Sequence, residues 1–354
     1  MGTLPRTMRL IVAIATATVA GASLPSMAAA ADPDQWAWAV VRNPSKSYEL
    51  KPKDGASSGG GRVRVKRIAR GSSRLTFKGL SVDERHVQVT PLSSAAAMCR
   101  WIGGGQQEGQ EKVACYDRYG RAKDVPFVFN MVRSTAIHAG PRLAYVRANQ
   151  GRKKEPYQGY PAFASTGTAD TLTKLGEGHY HVRIPAIFTQ GGNLQVTPFS
   201  FAEKTTCRIA SWAVLGVDVR AETRCYDLKG KPRNSKYSLI YTSGEGLKGD
   251  GGGAWAYLLA HAKKSASYVP VDDYSAESSP GTPRVKRLKR GQYRVKLPSM
   301  PLGGSVQVTA LDERKRCQAS SIKKKDGPQK IGVRCFSANG KKRADSVFML
   351  SYAK

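Results

Sequence analysis

The sequence predicts an all-β chain built from three tandem β-sandwich domains, each of about 110 residues (immunoglobulin-like in size) and each with one intradomain disulfide. Three observations support this fold class. Apolar and polar residues alternate with a period of two, six cysteines fall into three pairs at a constant spacing, and other short motifs recur at that same spacing. Alternation of this kind is typical of antiparallel strands with one buried and one solvated face.

The first 31 residues are typical of a secretory signal peptide. Two arginines precede an apolar stretch over 10–22, and a run of small residues follows at 28–31. A membrane anchor, the alternative, needs a longer apolar run of about 20 residues. The sequence therefore predicts cleavage between Ala29 and Asp32, and export to the cell surface, the extracellular medium or the periplasm.

The repeat divides the rest of the chain into three predicted domains. They cover residues 32–138, 139–253 and 254–354 and are called here the first, second and third copies. A period near 110 is longer than the 20–50 residues of a solenoid unit, so each copy is long enough to bury a small core of its own. The Gly-rich segment 244–253 closes the second copy and predicts a flexible linker.

The cysteines pair most simply within each copy. The predicted disulfides are Cys99 with Cys115, Cys207 with Cys225, and Cys317 with Cys335. An even cysteine count in an exported chain favours disulfides, whereas a zinc site needs closer spacing and histidine partners. Closing loops of this length is expected to stabilise each copy by about 3 kcal/mol.

The third copy displays the repeat pattern most completely. It runs through Gly291-x-Tyr-x-Val, Val306-Gln-Val-Thr, Cys317, Val333-Arg-Cys-Phe and Asp345-Ser-x-Phe. This pattern resembles a repeat of secreted bacterial β-domain proteins, found in high-GC bacteria and generally without an assigned function. The resemblance covers all three copies and implies a secreted, non-enzymatic β module. It transfers no catalytic or binding residue, and the first copy departs from it because no tyrosine follows its glycine.

The sequence offers no persuasive catalytic or metal-binding constellation. No histidine recurs across the copies, every cysteine is assigned to a disulfide, and no Gly-x-Ser-x-Gly motif occurs. His179 and His181 share a strand face, but two solvent-facing polar residues explain them better than a metal does. Gly244–Gly249 matches a dinucleotide loop without the helix that must follow it. The sequence therefore predicts no enzyme, no cofactor and no metal; a secreted hydrolase is the less favoured alternative.

Carboxylates recur at two points of the repeat. Asp117 and Asp227 follow the second cysteine, where the third copy has Ser337; Asp124 and Asp345 precede the last strand, where the second copy has Asn234. Replacement by serine and asparagine indicates hydrogen bonding in turns rather than acid–base chemistry.

The large positive charge of the chain is the feature that indicates a binding partner. The chain has 57 Lys and Arg against 26 Asp and Glu, a net charge of +31, and the third copy holds about twice the excess of either other copy. Basic residues line predicted hairpins of the first and third copies. The candidate polyanion-binding residues are Arg62, Arg64, Lys66, Arg67, Arg284, Lys286, Arg287, Lys289, Arg290, Arg294 and Lys296.

These runs attract polyanions by steering and counterion release. Aromatic residues do not interleave them, so sequence-specific nucleic-acid binding is not expected. The sequence predicts a secreted, strongly basic protein that binds an anionic polysaccharide or envelope polymer. An extracellular structural or inhibitor-type interaction module, whose charge has no polyanion ligand, is the alternative.

Overall fold

A computed structural model describes residues 34–80, 84–104, 109–135, 142–200, 203–248, 252–312, 314–323 and 327–354. The predicted signal peptide lies outside these ranges. The regular structure is almost entirely β-strand, which confirms the predicted all-β class; the only helix within the described ranges is a single 3-10 turn, Asp272–Tyr274. None of the described helical structure has the length and apolar content needed to cross a bilayer.

The described residues of the first copy form nine strands. They are β1 (Gln35–Val41), β2 (Tyr48–Glu49), β3 (Gly55–Ser57), β4 (Arg64–Ala69), β5 (Ser72–Thr76), β6 (His86–Pro91), β7 (Ala97–Gly104), β8 (Gln110–Asp117) and β9 (Phe127–Arg133). One sheet has the order β3-β1-β9-β6, and the other runs β2-β4-β5-β8-β7.

In the second copy, eight strands lie within the described ranges. They are β10 (Arg142–Ala148), β11 (Ala162–Ala164), β12 (Thr171–Gly176), β13 (His179–Ile184), β14 (Asn193–Phe199), β15 (Thr206–Leu215), β16 (Asp218–Tyr226) and β17 (Lys236–Ser243). They form the sheets β11-β10-β17-β14 and β12-β13-β16-β15, and a parallel pairing of Phe199 with Trp101 joins β14 to β7 of the first copy.

The part of the third copy that the structure describes contains the last nine strands. They are β18 (Trp255–Ala260), β19 (Ser267–Tyr268), β20 (Ser275–Glu277), β21 (Arg284–Lys289), β22 (Gln292–Leu297), β23 (Ser305–Ala310), β24 (Lys315–Ile322), β25 (Gln329–Ser337) and β26 (Phe348–Ala353). The sheet orders are β20-β18-β26-β23 and β19-β21-β22-β25-β24, which parallel those of the first copy.

All three predicted disulfides are present. Each joins directly opposite residues of neighbouring strands: Cys99–Cys115, Cys207–Cys225 and Cys317–Cys335. No cysteine is free. Three disulfides are typical of a protein that works in an oxidising compartment.

The recurring polar residues close turns, as the sequence indicated. One carboxylate or amide oxygen in each copy accepts the N–H of the glycine that turns the central hairpin. The pairs are Asp124 with Gly71, Asn234 with Gly178 and Asp345 with Gly291, at 2.7, 2.9 and 2.8 Å. The three glycines have φ between +62° and +73°, a conformation that disfavours other residues.

The copies pack against one another through the strands that carry the Gln-Val-Thr motif. Each threonine hydroxyl donates to a glutamine of another copy and accepts the N–H of a valine there. The hydroxyl-to-glutamine pairs are Thr90 with Gln307, Thr197 with Gln88 and Thr309 with Gln195, at 2.7, 2.7 and 2.8 Å. These bonds close a cycle through the three copies, called here the Gln–Thr ring.

The hydrophobic cores also cross copy boundaries. Each copy has a buried cluster of its own, but Trp38 and Val128 of the first copy belong to the cluster of the third, and Met349 of the third belongs to that of the second. Asp32–Lys354 accordingly forms one compact unit. The copies therefore share packing that a self-contained module would lack.

The predicted linker is packed where the structure describes it. Glu245, Leu247 and Lys248 are all buried, and the Lys248 ammonium lies 3.8 Å from the centroid of the Trp36 ring. The apolar contact of Leu247 and this cation–π contact fix a segment whose glycines suggested flexibility. Residues 249–251 lie outside the described ranges.

Candidate anion-binding surface

The predicted basic residues of the first copy are largely paired. Arg62 and Arg64 contact the carboxylate of Glu49 at 3.6 and 2.8 Å, and Arg67 contacts Asp124 at 3.0 Å. Glu49 and Asp124, which the sequence did not place opposite these arginines, therefore neutralise much of the positive charge on this hairpin. Lys66 remains exposed.

In the third copy the structure separates the predicted residues into three groups. Arg287 contacts Asp345 at 2.7 Å, where it supports the hairpin turn. Lys289 and Arg290 lie exposed at that turn. The remaining four are brought together on the solvent face of the hairpin, which β21 and β22 form: Arg284, Lys286, Arg294 and Lys296.

This face places like charges directly opposite each other across neighbouring strands. Arg284 lies opposite Lys296 and Lys286 opposite Arg294, and Lys296 faces Lys330 of β25 on its other side. Opposed like charges destabilise a sheet because their side chains share one face at short range. An anion bound above the face would relieve this repulsion.

Two basic residues of β25, which the candidate set lacked, complete the face. Lys330 and Arg334 alternate with Ile331, Val333 and Cys335, each of which is fully buried. That alternation was readable in the sequence and places Lys330 and Arg334 on the solvent side. The third-copy basic face is defined here as Arg284, Lys286, Arg294, Lys296, Lys330 and Arg334.

Among the described residues, no acidic side chain offsets this charge locally. Within the described part of the chain, none of the six residues forms an ion pair, although that part of the third copy holds five acids. The Nε of Arg334 is buried without a hydrogen-bond partner there. Burial lowers the pKa of Arg334, and the nearby charge of Arg343 lowers it further.

A groove of about 430 Å³ crosses the face between β22 and β24. Its polar lining consists of Arg294, Ser320, Ser321, Lys323, Lys330 and Arg334. Gly332 forms the floor, since a Cβ at this position would collide with the Ser321 hydroxyl. A register shift in β24 between Ala319 and Ser321 brings both serines to this edge.

The same position differs in the other copies. The second copy has Glu222 where the third has Gly332; Glu222 lies opposite His181 and contacts His179 at 2.9 Å. Asp218 binds two arginines of that face, Arg183 at 2.7 Å and Arg220 at 3.9 Å. In the second copy, the Glu222 side chain therefore takes the place of the open groove floor, and carboxylates offset the positive charge of the face.

The first copy is intermediate. Lys112 occupies the position of Gly332 and lies opposite Arg74, so its larger side chain replaces the open floor with another charge. A cavity of about 520 Å³ on this copy includes Glu49 beside Arg64 and Lys66. That carboxylate makes the first-copy surface less suited to an anion.

The groove of the third copy combines the groups that bind sulfate and phosphate esters. Guanidinium groups donate two parallel hydrogen bonds to such oxyanions, ammonium groups add charge, and hydroxyls donate further bonds.

The described residues contain no group of three or more His, Cys, Asp or Glu side chains that could hold a metal. His179, weighed above as a ligand, is instead the partner of Glu222.

The comparisons with known proteins are negative. No family model, no curated protein and no solved structure matches this chain.

Proposed function

We propose that this chain is an exported, non-enzymatic protein that binds an anionic polymer, such as an acidic polysaccharide or a polymer of the cell envelope, through the third-copy basic face. The observation that carries the proposal is the opposition of like charges over a groove whose described lining contains no acid. Such a surface is destabilised when empty and gains most from an anion.

Export is the second part of the proposal. The signal-like N-terminus supports it, and so do three disulfides, which persist in oxidising compartments. The resemblance to repeats of secreted bacterial β-domain proteins points the same way. In that setting the available polyanions are polysaccharides and envelope polymers rather than cytoplasmic nucleic acids.

A matched pair of variants tests the binding face. The test variant carries Arg294→Gln, Lys330→Gln and Arg334→Gln. The control carries Lys51→Gln, Lys53→Gln and Lys78→Gln, three exposed residues of the first copy. Both lose three positive charges, so only the location of the loss differs.

Affinity for heparin, a sulfated polysaccharide, is measured against salt concentration. We expect the test variant to bind at least about tenfold more weakly than the control. The slope of log K against log salt should fall by about 2 to 3 in the test variant, because three charge contacts are lost. Equal weakening of the two variants would show that net charge, not this face, drives binding, and would overturn the proposal.

One observation favours a second candidate, a protein-interaction module. Phe188, Leu215 and Val217 are exposed large apolar residues at one tip of the second copy, where the N–H groups of Ile187 and Phe188 both reach the Val217 carbonyl. Exposed apolar clusters often mark protein contacts. If this module is the function, Phe188→Ser will abolish capture of a protein from the native cell envelope and the basic-face variant will not.

A further inference from the structure

A small cavity of about 50 Å³ lies where the three copies meet, beside the Gln–Thr ring. All three copies contribute to its wall. The described lining residues are Val89, Thr90, Pro91, Ala97, Met98, Cys99, Val196, Pro198, Thr205, Thr206, Cys207, Val308, Arg316, Cys317 and Gln318. Most of these residues are apolar by type, but the atoms that face the cavity are mostly polar, and Arg316 is the one charged residue among those described.

Three equivalent positions differ in this wall. The residue before the first cysteine of each disulfide is Met98 in the first copy, Thr206 in the second and Arg316 in the third. Each lies opposite an aromatic residue of the neighbouring strand. The first copy has an apolar residue at this position, so the repeated fold does not require an arginine here. Arg316 is therefore a specific feature of the third copy.

Arg316 is buried and unsatisfied. The residue is 7% exposed, and its Nε and Nη2 atoms are buried with no hydrogen-bond partner among the described residues. Two other buried arginines of these strands are also only partly satisfied, but each makes a hydrogen bond: Arg100 donates to the Tyr116 hydroxyl at 3.0 Å, and Arg208 donates to the Lys315 carbonyl at 3.2 Å.

The guanidinium of Arg316 is also held in place. Its Nη2 occupies the space that a side chain at residue 340 would need, so Gly340 packs directly against it. Burial lowers the pKa of Arg316 to about 10, which still leaves it positively charged at neutral pH. A buried charge without a counter-ion is costly, and the described lining residues provide no carboxylate.

We propose that this cavity binds a small monovalent anion of the halide class, chloride being the abundant member, with the Arg316 guanidinium as its principal ligand. Thr206 supplies the second polar group at the matching position of the second copy. A single water needs about 10–15 Å³ of such space, so the cavity admits an atomic ion but excludes a sulfated or phosphorylated sugar. The site is thus separate from the third-copy basic face.

The direct test is anomalous diffraction from crystals of the natural protein grown in sodium bromide. We expect a bromide peak within about 3.5 Å of the Arg316 guanidinium, since charged N–H donors approach halides somewhat less closely than oxygen. Crystals of the Arg316→Met variant should lack the peak. A cavity that contains only water in the natural protein overturns the proposal, whatever the variant does.

Thermal unfolding gives an independent test in solution. Melting is followed in sodium chloride and in sodium gluconate at equal ionic strength, because gluconate is too large for the cavity. Ligand that binds only the folded state raises the melting temperature, and we expect chloride to raise it by roughly 3 °C over gluconate. The Arg316→Met variant should lose this difference.

The matched control is Arg290→Met, which removes an exposed arginine of the same copy. It should keep the full difference between chloride and gluconate. Equal chloride dependence in the Arg316 and Arg290 variants would assign the effect to general surface charge and contradict the proposal.

Discussion

Two buried acidic residues show how strongly the cost of burying a carboxylate depends on its partners. Glu111 is fully buried, but the guanidinium of Arg85 contacts it and the Trp101 indole N–H donates to it at 2.6 Å. Asp170 is 1% exposed, and neither of its carboxyl oxygens has a partner among the described residues. Burial therefore raises the pKa of Asp170 well above its usual value.

We predict that Asp170→Asn stabilises the protein at neutral pH. Below about pH 4, Asp170 is protonated in both the folded and the unfolded chain, and its contribution to stability is complete. As the pH rises, the unfolded chain loses this proton more readily than the folded chain, so the stability is lost. The variant removes that penalty. The free energy of unfolding at pH 7, measured in urea, should increase by at least about 1 kcal/mol.

The gain should shrink toward pH 4, where both states of the natural protein hold the proton. Asp272→Asn, at an exposed position, is the control and should change stability little at either pH. A destabilised Asp170→Asn variant at pH 7, or a gain that does not depend on pH, would contradict this account of Asp170.

At the scale of the element, the hairpin of β21 and β22 depends on Asp345. Its Oδ1 accepts the Gly291 N–H at 2.8 Å and the Tyr293 hydroxyl at 3.0 Å, and its carboxylate pairs with Arg287. Burial alone would raise the pKa of Asp345, but these hydrogen bonds outweigh it and hold the pKa at about 2. The second copy keeps the glycine contact with an amide, Asn234.

We predict that Asp345→Ala costs about 2 kcal/mol of stability, since a charged acceptor of several hydrogen bonds is lost. Asp345→Asn should cost less than half as much, because the amide oxygen can still accept the Gly291 N–H, as Asn234 does for Gly178. Denaturant midpoints at pH 7 measure both. Equal losses in the two variants would show that the ion pair with Arg287, rather than the turn contact, carries the stability.

The elements of this fold were largely accessible from the sequence. Alternation predicted strands such as β22 and β25, cysteine spacing predicted the disulfides, and the exchange of Asp345 for Asn234 indicated turn bonding. Ion pairs were not accessible, because Glu49 and Asp124 are distant in sequence from the arginines that they neutralise. The groove was not predicted, because Gly332 leaves an open floor only where side chains of the neighbouring strands form the walls around it.

At the scale of the whole molecule, the Gln–Thr ring joins the copies. Its three threonine-to-glutamine bonds link residues separated by more than 100 positions, so no local pattern reveals them. The period-two alternation predicts that the polar residues of this motif face water. Its polar members instead lie buried between copies, where an unsatisfied group would cost about 1–3 kcal/mol.

We predict that Thr90→Val destabilises the whole chain by about 1–3 kcal/mol, since it leaves the Val308 N–H and the Gln307 side chain without this partner. Tryptophan fluorescence and circular dichroism should report one shared unfolding transition, shifted to lower denaturant. Thr282→Val, an exposed control, should leave the midpoint unchanged. Separate transitions for separate copies would contradict the shared packing.

The central proposal is that the open basic groove of the third copy, which no described acid offsets, binds an anionic polymer. Gly332→Glu tests it most directly, because it installs the residue that the second copy has at this position, and Gly332→Gln is the control of equal size. Heparin affinity is measured for both variants and the natural protein. We predict that Gly332→Glu binds at least about tenfold more weakly than Gly332→Gln, through local charge repulsion. Equal affinities of the two variants would contradict the claim.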